Sequence, residues 1–445
     1  MQAQGSLIQQ AGAVVRKLQD AGHEAYFAGG VVRDKLLGIR AQDVDIATSA
    51  HPDQVQELFA RATDLQGKAF GVVRVLQDEE VFEVATFRQD LDYQDGRRPE
   101  GVVFTTAEED AQRRDFTVNG LFYDPVADRV IDYIGGQEDL EAGVLRAIGD
   151  ARQRFEEDHL RLFRAVRFSA QLGFEIEPET WRVICDLSEL GGKLAPERVR
   201  DELIKCFSGP RPQRALDLLV DSGLMDQWIP EVSKMKGVEQ PPEFHPEGDV
   251  YTHVHMMVGM LKNADPVVAF SVLLHDIAKP NTYSVDETGR IRFTMHETVG
   301  AEMAEEIMRR LRFPNQMVDA VQHCVANHMK FKDALSMRVS TLKRFMSQPY
   351  FEQEMELHRI DCSCCHADLS IYDFIRQKQE EFSKEPVMPD PLISGKDLMD
   401  LGMQPGPQMG KLLIQIQDEQ LEGALKDREQ ALVRARELIK ALTGE

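Results

Sequence analysis

The fold is decided by the stretch YFAGGVVRDKLLGIRAQDVDIATS, residues 26–49, in which two short apolar runs are joined through a pair of glycines and a polar segment. The two runs predict strands, and VVRDKLL between them predicts a helix. Gly29 and Gly30 let backbone amides approach an anion at the start of that helix, and Arg33 lies one turn further on. We therefore expect a phosphate-binding turn in a small sheet that carries helices.

Two aspartates of the same stretch, Asp43 and Asp45, lie two positions apart in the run DVDIAT. Alternate residues of a strand point to the same side, so both carboxylates would face one point, as two-metal phosphoryl transfer requires. The predicted strand VFEVATF would add Glu83 as a third acid. Because a D-x-D pattern is common in other proteins, this prediction depends on the glycine turn that precedes it.

The order of the segments predicts an α+β chain. An amphipathic helix is expected over residues 6–21, short strands alternate with helices after it, and from about residue 155 the pattern is helical. Pro-rich stretches mark boundaries in the second half. The predicted parts are a small mixed-sheet head at 1–154, an all-α neck and body at 155–238, a second all-α domain at 239–382 and a helical tail at 383–445.

The composition excludes several classes of protein. The net charge of −23 argues against general nucleic-acid binding, which depends on clustered Lys and Arg. No charge-free apolar run approaches the roughly 18 residues of a membrane helix, and MQAQGSLIQQ lacks a secretory leader pattern. The 6 cysteines, three of them in CSCC, do not form a disulfide framework. We expect a protein of the reducing cytoplasm with no membrane partner.

Further motifs make the assignment specific, namely RRDFTVNGLFYDP, DYIGGQEDL, LRAIGDARQRFEEDHLRLFRAVRFSAQLGF and PERVRDELIKCF. With the glycine turn and the D-x-D pair they resemble the bacterial class II tRNA nucleotidyltransferase and poly(A) polymerase family. The resemblance runs from residue 24 to about residue 230. It implies a polymerase-beta-like head that adds CCA, from CTP and ATP, to the 3′ end of tRNA with release of pyrophosphate.

The same resemblance implies roles for individual residues of the head. RRDFTVN corresponds to the family motif R-R-D-F-T-x-N, whereas the sequence alone would suggest a capped turn. The implied residues are Asp43 and Asp45 for Mg²⁺, Glu83 as an assisting acid, and Gly29, Gly30, Arg33, Arg114, Asp115 and Asn119 for the nucleotide.

A second constellation, EDHLR at residues 157–161, bears on the choice of base. On one helix, Asp158 and Arg161 would share a face. A carboxylate accepts from the amino group of cytosine or adenine and a guanidinium donates to the adjacent ring nitrogen, whereas guanine and uracil present the reverse order. The alternative is a solvated salt bridge between the two side chains. The motif resembles the E-D-x-x-R nucleotide-recognition motif of CCA-adding enzymes, which implies that the pair selects CTP and ATP.

Two neighbouring features extend this site. Arg164 and Arg167 continue the face of Arg161 at three-residue steps, and we expect them either to contact triphosphate or tRNA or to pair with acidic side chains. The polar segment DGRRP at residues 95–99 predicts a mobile loop. It resembles the flexible element that CCA-adding enzymes use when they switch from C to A.

A third constellation contains the histidines of DVYTHVHMM, LLHDIAKP, FTMHETVGAEMA and VANHMKF. Imidazole and carboxylate groups at such spacings can converge on a divalent cation. The pattern resembles the HD superfamily of metal-dependent phosphohydrolases, which implies a transition metal or Mg²⁺ and hydrolysis of phosphomonoesters or 2′,3′-cyclic phosphates. The matched core ligands are His253, His275, Asp276 and Asp361, with His296, His328 and Lys279 as additional ligands or phosphate contacts and less weight on His255 and His323.

A cysteine cluster nearby suggests a zinc site, but we interpret it differently. Cys362, Cys364 and Cys365, with His366, lie in a predicted helix, where positions i and i+2 diverge. No second C-x-x-C motif exists in the chain. We therefore interpret these residues as core cysteines.

Several other functions fit part of the pattern. An A-adding enzyme, a CC-adding enzyme or a poly(A) polymerase would share most of the head. A protein-uridylylating enzyme also joins such a head to an HD domain, but it would need ligand-sensing domains for which the predicted tail leaves no room. A phosphohydrolase with an inactive head is disfavoured by the intact glycine pair, Arg33 and D-x-D.

Overall fold

A computed structural model of the chain describes residues 2–41, 43–60, 62–63, 71–91, 101–241, 243, 248–365, 367–383 and 386–443. The chain forms two units, one comprising Met1–Ser233 with Leu261–Asn263 and the other Lys234–Met260 with Ala264–Glu445. The finer division into four parts stays a prediction. Within the described residues, no helix is both long and apolar enough to cross a membrane.

The first unit begins with a sheet and continues with helices. Its strands are β1 (Ala25–Ala28), β2 (Asp45–Thr48), β3 (Ala62–Thr63), β4 (Val72–Gln77), β5 (Glu80–Thr86), β6 (Arg88–Asp90), β7 (Val102–Phe104), β8 (Phe122–Asp124), β9 (Arg129–Ile131), β10 (Val144–Leu145) and β11 (Glu175–Ile176). Its helices are α1 (Gln2–Asp20), α2 (Gly30–Leu36), α3 (Pro52–Leu58), α4 (Ala107–Gln112), α5 (Gly136–Ala142), α6 (Ala151–Glu157), α7 (Leu160–Leu172), α8 (Pro178–Asp186), α9 (Pro196–Phe207), α10 (Pro212–Asp221) and α11 (Pro230–Ser233). Short 3-10 helices lie at Thr117–Asn119, Ser188–Lys193 and Met225–Gln227.

The main sheet of the described chain has the strand order β3-β4-β5-β2-β1-β8-β9. The β2–β5 pair is parallel and its other pairs are antiparallel, which makes the sheet mixed. Alternation along β1 separates two cores: Phe27 packs with the apolar face of α1, and Tyr26 packs with Phe87 and Phe122 on the other face. The α+β prediction is confirmed.

The second unit is built mainly from helices. They are α12 (Val250–Met260), α13 (Pro266–Leu274), α14 (Lys279–Thr282), α15 (His296–Arg310), α16 (Asn315–Asn327), α17 (Val339–Met346), α18 (Phe351–Cys365), α19 (Ser370–Phe382), α20 (Gly395–Asp400), α21 (Pro407–Leu421) and α22 (Arg428–Thr443), with a 3-10 helix at His328–Ser336. The unit also contains a β-hairpin of β12 (Tyr283–Val285) and β13 (Ile291–Phe293), which the sequence analysis did not predict.

The helices of the tail form a small core of their own. Leu398, Leu412 and Ile416 are buried there against Ala431 and Ala435. Arg344 of α17 binds Asp418 of α21 at 3.0 Å, which fastens this core to the rest of the second unit.

Candidate functional sites

Strand register brings the glycine turn and the acidic side chains to one end of the main sheet. Ala28, the last residue of β1, pairs with Asp45, the first residue of β2. Ile46 pairs with Val84 across the parallel β2–β5 ladder. The residues before them, Asp45 and Glu83, therefore lie at neighbouring positions on the two strands. The turn at Gly29 therefore begins beside the carboxylates, and their roles stay predictions.

The carboxylates lie in an exposed, negatively charged setting. Strand β2 begins at Asp45, so Asp43 precedes the strand, and the expectation that one strand holds both was wrong. Both aspartates and Glu83 are exposed. Partial desolvation, followed by the charges of Asp43 and Glu83, raises the pKa of Asp45, whereas Arg114 lowers it. Glu83 also binds Arg74 at 2.9 Å.

The first glycine of the turn is required by the backbone and by a close neighbour. Gly29 precedes α2 with φ 73°, which disfavours other residues. Its amide donates to the Leu121 carbonyl at 3.1 Å. A Cβ at this position would lie 3.1 Å from Nη1 of Arg114. The turn thus keeps a guanidinium directly beside the helix start, where an anion would bind.

A chain of polar side chains connects α2 to α7. Nη1 of Arg33 donates to Oδ1 of Asn119 at 2.6 Å, and Nδ2 of Asn119 donates to Asp115 at 3.1 Å. Nε of Arg164 donates to Oδ2 of Asp115 at 2.8 Å. Burial would raise the pKa of Asp115, but the ion pair with Arg164 outweighs it and lowers that pKa to about 2. These hydrogen bonds join three segments that are far apart in the sequence: α2, the segment of Asp115 and Asn119, and α7.

The other arginines of the predicted site are paired with acids in the same way. Arg114 binds Asp110 at 2.9 Å and lies over the ring of Phe122. Arg167 is buried and donates to Glu202, with Nε 2.5 Å from the carboxylate. For Arg164 and Arg167 we expected either contact with triphosphate or tRNA or ion pairs with acidic side chains. The structure shows the ion pairs.

The pair Asp158 and Arg161 is arranged differently from the prediction. Asp158 ends α6 with extended φ −137° and ψ 102°, and α7 begins at Leu160, so the two do not share one continuous helix. The salt bridge between them is also absent in the described structure, because Asp158 binds Arg198 at 3.1 Å and Arg161 binds Glu157 at 2.9 Å. Both alternatives assumed a regular helix, and the break redirects the carboxylate.

Arg161 is a buried link between elements. Its Nη1 donates to the Arg154 carbonyl at 2.9 Å, and its Nη2 donates to the Arg113 carbonyl at 3.0 Å. Arg113 follows α4, so the guanidinium fastens the start of α7 to the RRD motif. The partner Arg198, in PERVR, was missed because nothing local indicates that it faces α6. The predicted loop at 95–99 lies outside the described residues.

In the second unit, the predicted histidines and aspartates converge. Nε2 of His253 lies 3.2 Å from Oδ1 of Asp361 and 4.0 Å from Oδ2 of Asp276. That Oδ2 lies 3.1 Å from Nε2 of His275, and Oδ1 of Asp276 lies 3.5 Å from Nε2 of His296. Nε2 of His328 is 3.2 Å from Nε2 of His296. Here we call these six residues the His–Asp cluster.

Backbone contacts orient three rings of the His–Asp cluster. Nδ1 of His275 lies 2.9 Å from the Val272 carbonyl, and Nδ1 of His296 and His328 lie 2.9 and 2.6 Å from the carbonyls of Phe293 and Val325. A carbonyl only accepts, so each Nδ1 carries the proton and each Nε2 presents a lone pair. The facing Nε2 atoms of His296 and His328 then repel unless a cation lies near both.

The protonation states also fit a cation. Burial, followed by His275, lowers the pKa of His328 to about 3, so this ring is neutral near pH 7. Burial would raise the pKa of Asp276, but the positive charge of a protonated His275 ring and of the Lys279 ammonium hold it well below its ordinary value, and a bound cation would take over the place of that ring proton. Three residue groups within the described residues could hold a metal ion here: His253 with His275 and Asp276, Asp276 with His296 and His328, and His253 with Asp361 and Cys365.

Two further residues lie at this site without having been predicted there, namely Gln240 and Cys365. Lys279 binds Oδ2 of Asp276 at 2.7 Å, and its Nζ also donates to Oε1 of Gln240 at 2.6 Å. Gln240 lies in a Pro-rich stretch that was interpreted only as a boundary. Cys365 lies 3.5 Å from Oδ1 of Asp361 and 3.8 Å from Nδ1 of His253.

The other cysteines and histidines do not join the cluster's described ligand groups. Helix α18 confirms that CSCC is helical, but the three cysteines are half-buried rather than in the core, and His366 lies outside the described residues. His255 stacks on Tyr251. His323 binds Glu354, with 2.6 Å between Nδ1 and Oε1.

Family models match three segments of the chain. Residues 25–146 match the "Poly A polymerase head domain", and residues 249–369 match the "HD domain". Residues 173–236 match the model described as "Probable RNA and SrmB- binding site of polymerase A".

The chain is similar to curated CCA-adding enzymes. That of Levilactobacillus brevis is 32% identical over 425 residues, which are 95% of this chain and 96% of the relative. That of Lactobacillus johnsonii is 44% identical over 235 residues, or 53% of this chain. In that second alignment the chain spans little more than half of the relative, 58% of its length.

Solved structures share the fold along the chain. The crystal structure of the Bacillus stearothermophilus CCA-adding enzyme in complex with CTP has a TM-score of 0.75 at 24% identity and covers 98% of each chain. The Thermotoga maritima CCA-adding enzyme complexed with tRNA has a TM-score of 0.59 at 18% identity, covering 96% of this chain and 94% of that chain. At these sequence identities, the comparison shows that the chains share a fold.

Proposed function

This chain belongs to the family of CCA-adding enzymes, and on that premise we propose that it adds CCA to the 3′ end of tRNA from CTP and ATP. The observation that carries the proposal is the strand register that brings the glycine turn beside Asp45 and Glu83. A terminal hydroxyl of tRNA attacks the α-phosphate, and pyrophosphate leaves. We place this activity in the cytoplasm.

Different residues of the head would bind the metal ion and the triphosphate. Asp43 and Asp45, with Glu83, would hold Mg²⁺, which when bound supplies charge neutralisation for phosphoryl transfer. Partial burial, followed by the charges of Asp43 and Glu83, raises the pKa of Asp45, and a cation between these carboxylates would relieve their repulsion. The amides after Gly29 would receive the triphosphate, and Arg114 beside that turn would supply positive charge.

Base selection would belong to the junction of α6 and α7. Asp158 would accept from the amino group of C or A, and Arg161 would donate to the ring nitrogen. For Asp158 to do so, its bond to Arg198 must open or be shared. For Arg161, the contacts to Glu157 and to the Arg113 carbonyl must rearrange or leave a donor available.

Size analysis of products tests this activity and its closest alternatives. The full chain is incubated with tRNA transcripts that lack CCA, lack only the final A, or are complete, with CTP, ATP, UTP or GTP alone and with CTP plus ATP. A CCA-adding enzyme restores both incomplete transcripts and leaves the complete one unchanged. Addition of only C or only A assigns a partial enzyme, long tails assign a poly(A) polymerase, and no product rejects the activity.

We also propose that the His–Asp cluster hydrolyses phosphomonoesters or 2′,3′-cyclic phosphates. The supporting observation is the set of Nε2 lone pairs fixed by backbone carbonyls around Asp276. His253, His275, Asp276 and Asp361 would hold a transition metal or Mg²⁺, which when bound supplies Lewis-acid activation. His296, His328 and Lys279 would contact the ion or the phosphate.

Metal reconstitution tests this second activity. The purified chain is treated with chelator, reloaded with Mn²⁺, Ni²⁺, Co²⁺ or Mg²⁺, and assayed with p-nitrophenyl phosphate and 2′,3′-cyclic AMP. Hydrolysis that is lost in His275→Ala supports the proposal. A chain that retains none of these ions and cleaves neither ester would make this region a scaffold.

A further inference from the structure

Gln240 is a buried polar side chain that neither proposed activity explains. Only 5% of its surface is exposed, although it lies in the stretch EQPPEFHPEGD. Its backbone surroundings are anchored, because Val250 at the start of α12 donates to the Val238 carbonyl at 3.0 Å. The same helix carries His253. Gln240 therefore enters the His–Asp cluster from a fixed backbone position.

The orientation of its amide follows from Lys279. An ammonium group only donates, so the atom 2.6 Å from Nζ must be the carbonyl oxygen Oε1. The other end of the amide is then Nε2, a donor. Nε2 is buried and has no acceptor in the described part of the chain. A buried donor without an acceptor is destabilising, so its presence calls for a partner outside the described part of the chain.

The surroundings indicate the chemistry of that partner. Lys279 joins Gln240 to Asp276, with 2.7 Å between Nζ and Oδ2, so the amide lies at the edge of the His–Asp cluster. The ammonium charge is already compensated by this carboxylate. A ligand with a free acceptor oxygen would satisfy Nε2, and a phosphoryl group carries several such oxygens.

We infer that Nε2 of Gln240 donates a hydrogen bond to a phosphoryl oxygen of the molecule bound at the His–Asp cluster, and this rests on the proposed phosphohydrolase function. Oε1 holds the ammonium of Lys279 in place while Nε2 binds the phosphate. One neutral amide thus performs both tasks without adding charge next to Asp276. The residue is a substrate-binding group rather than a metal ligand.

Two substitutions separate the two ends of the amide. Gln240→Glu keeps an acceptor for Lys279 but replaces the donor by an anionic oxygen, whereas Gln240→Met removes both. Gln408→Glu, at an exposed position of α21, makes the same chemical change outside the cluster and serves as the control. Thermal melting verifies that each variant is folded, and elemental analysis measures its metal content.

Inorganic phosphate is the probe, titrated calorimetrically into the metal-reconstituted full chain. We expect the phosphate Kd to rise about tenfold or more in both Gln240 variants, at unchanged metal content, and to stay constant in the control. KM for p-nitrophenyl phosphate should rise with it more than kcat falls.

Unchanged phosphate binding in both variants would overturn the inference and leave a water molecule as the partner of Nε2. A fall in metal content that parallels the loss of phosphate would also overturn it, since Gln240 would then act only through Lys279 and Asp276. If the wild type hydrolyses neither ester, the phosphohydrolase proposal fails, and the phosphate titration alone decides on Gln240. A wild type that binds no phosphate rejects the contact.

Discussion

The two candidate sites hold their carboxylates in opposite electrostatic settings. In the first unit, Asp43, Asp45 and Glu83 are exposed, and their like charges help to raise the pKa of Asp45. In the second, Asp276 is buried among imidazoles and an ammonium that lower its pKa. On the proposed function, cations and phosphates would complete the first site, whereas the groups of the second are brought together by folding.

Two other buried acids show the reverse pattern of pKa shifts. Asp115 in the first unit is paired with Arg164, a permanent cation, and its pKa is lowered to about 2. Glu354 in the second unit contacts His323 and Asn327, and burial raises its pKa to about 7. Arg164 therefore fixes the charge of Asp115, whereas Glu354 is partnered by a titratable imidazole and a neutral amide.

The largest expected effect tests whether the two sites act independently. Asp45→Asn should abolish nucleotide addition, by about a thousandfold or more, because it removes a carboxylate from the metal site. Asp276→Asn should abolish ester hydrolysis without affecting addition. Product sizing on tRNA and the p-nitrophenyl phosphate assay, run on both variants, measure this. Loss of both activities in either variant would contradict independence.

The next effect concerns the pH dependence of stability. The pKa of Glu354 is raised from 4.5 to about 7, so its contribution to folding is complete below pH 4.5 and is lost as pH rises through 7, by about 3 kcal/mol. Glu354→Gln, which stays neutral, should lack this decline. Urea unfolding of both proteins between pH 5 and 8.5 gives the difference. Parallel curves would mean that Glu354 is already ionised as an ion pair with His323.

The contribution of Asp115, in the first unit, to folding stability should change with pH in the opposite direction. The pKa of Asp115 is lowered from 3.8 to about 2, so its contribution of about 2 kcal/mol is present above pH 3.8 and is lost as pH falls through 2. Asp115→Asn should therefore destabilise the chain near pH 7 by at least this amount. Its unfolding curve should approach that of the wild type below pH 3. A gap that persists in acid would assign the loss to packing instead.

An intermediate effect separates base reading from structural support at Arg161. Arg161→Ala should slow CTP and ATP incorporation and reduce discrimination against UTP and GTP by about tenfold. Single-turnover incorporation of each nucleotide measures this, with Arg182→Ala at an exposed pair of α8 as the control. If Arg161 only fastens α7 to the Arg113 carbonyl, all four rates will fall together and selectivity will be kept.

The smallest expected effect tests whether Glu83 belongs to the proposed metal site of the head. Arg74→Ala breaks the exposed pair with Glu83 and should change the free energy of unfolding by less than about 1 kcal/mol. Because Glu83 loses a competing cation, Mn²⁺ binding to the head should tighten by at most a few fold. Urea unfolding and a Mn²⁺ titration of a variant that also carries Asp276→Asn measure both. Weaker Mn²⁺ binding would remove Glu83 from the metal site.

Much of the site could be predicted because its signals are local. Gly29 and Gly30 specify a turn and VFEVATF a strand through their own backbone preferences, whereas the expectation that one strand holds both Asp43 and Asp45 was wrong. The predicted position of the Asp158 side chain was wrong. Asp158 ends α6 in an extended conformation and binds Arg198, forty positions away, so helical spacing placed its side chain incorrectly.

The sequence by itself indicated the α+β order of elements, because that order depends on residue type and short-range periodicity, and the resemblance of its motifs to known families indicated the family and the candidate ligands. Only the tertiary structure decided which groups share a partner: the pairing of Asp158 with Arg198, of Arg161 with the Arg113 carbonyl, and of Gln240 with Lys279. Hydrogen bonds and ion pairs act over about 3 Å, and that proximity is created by packing between distant segments.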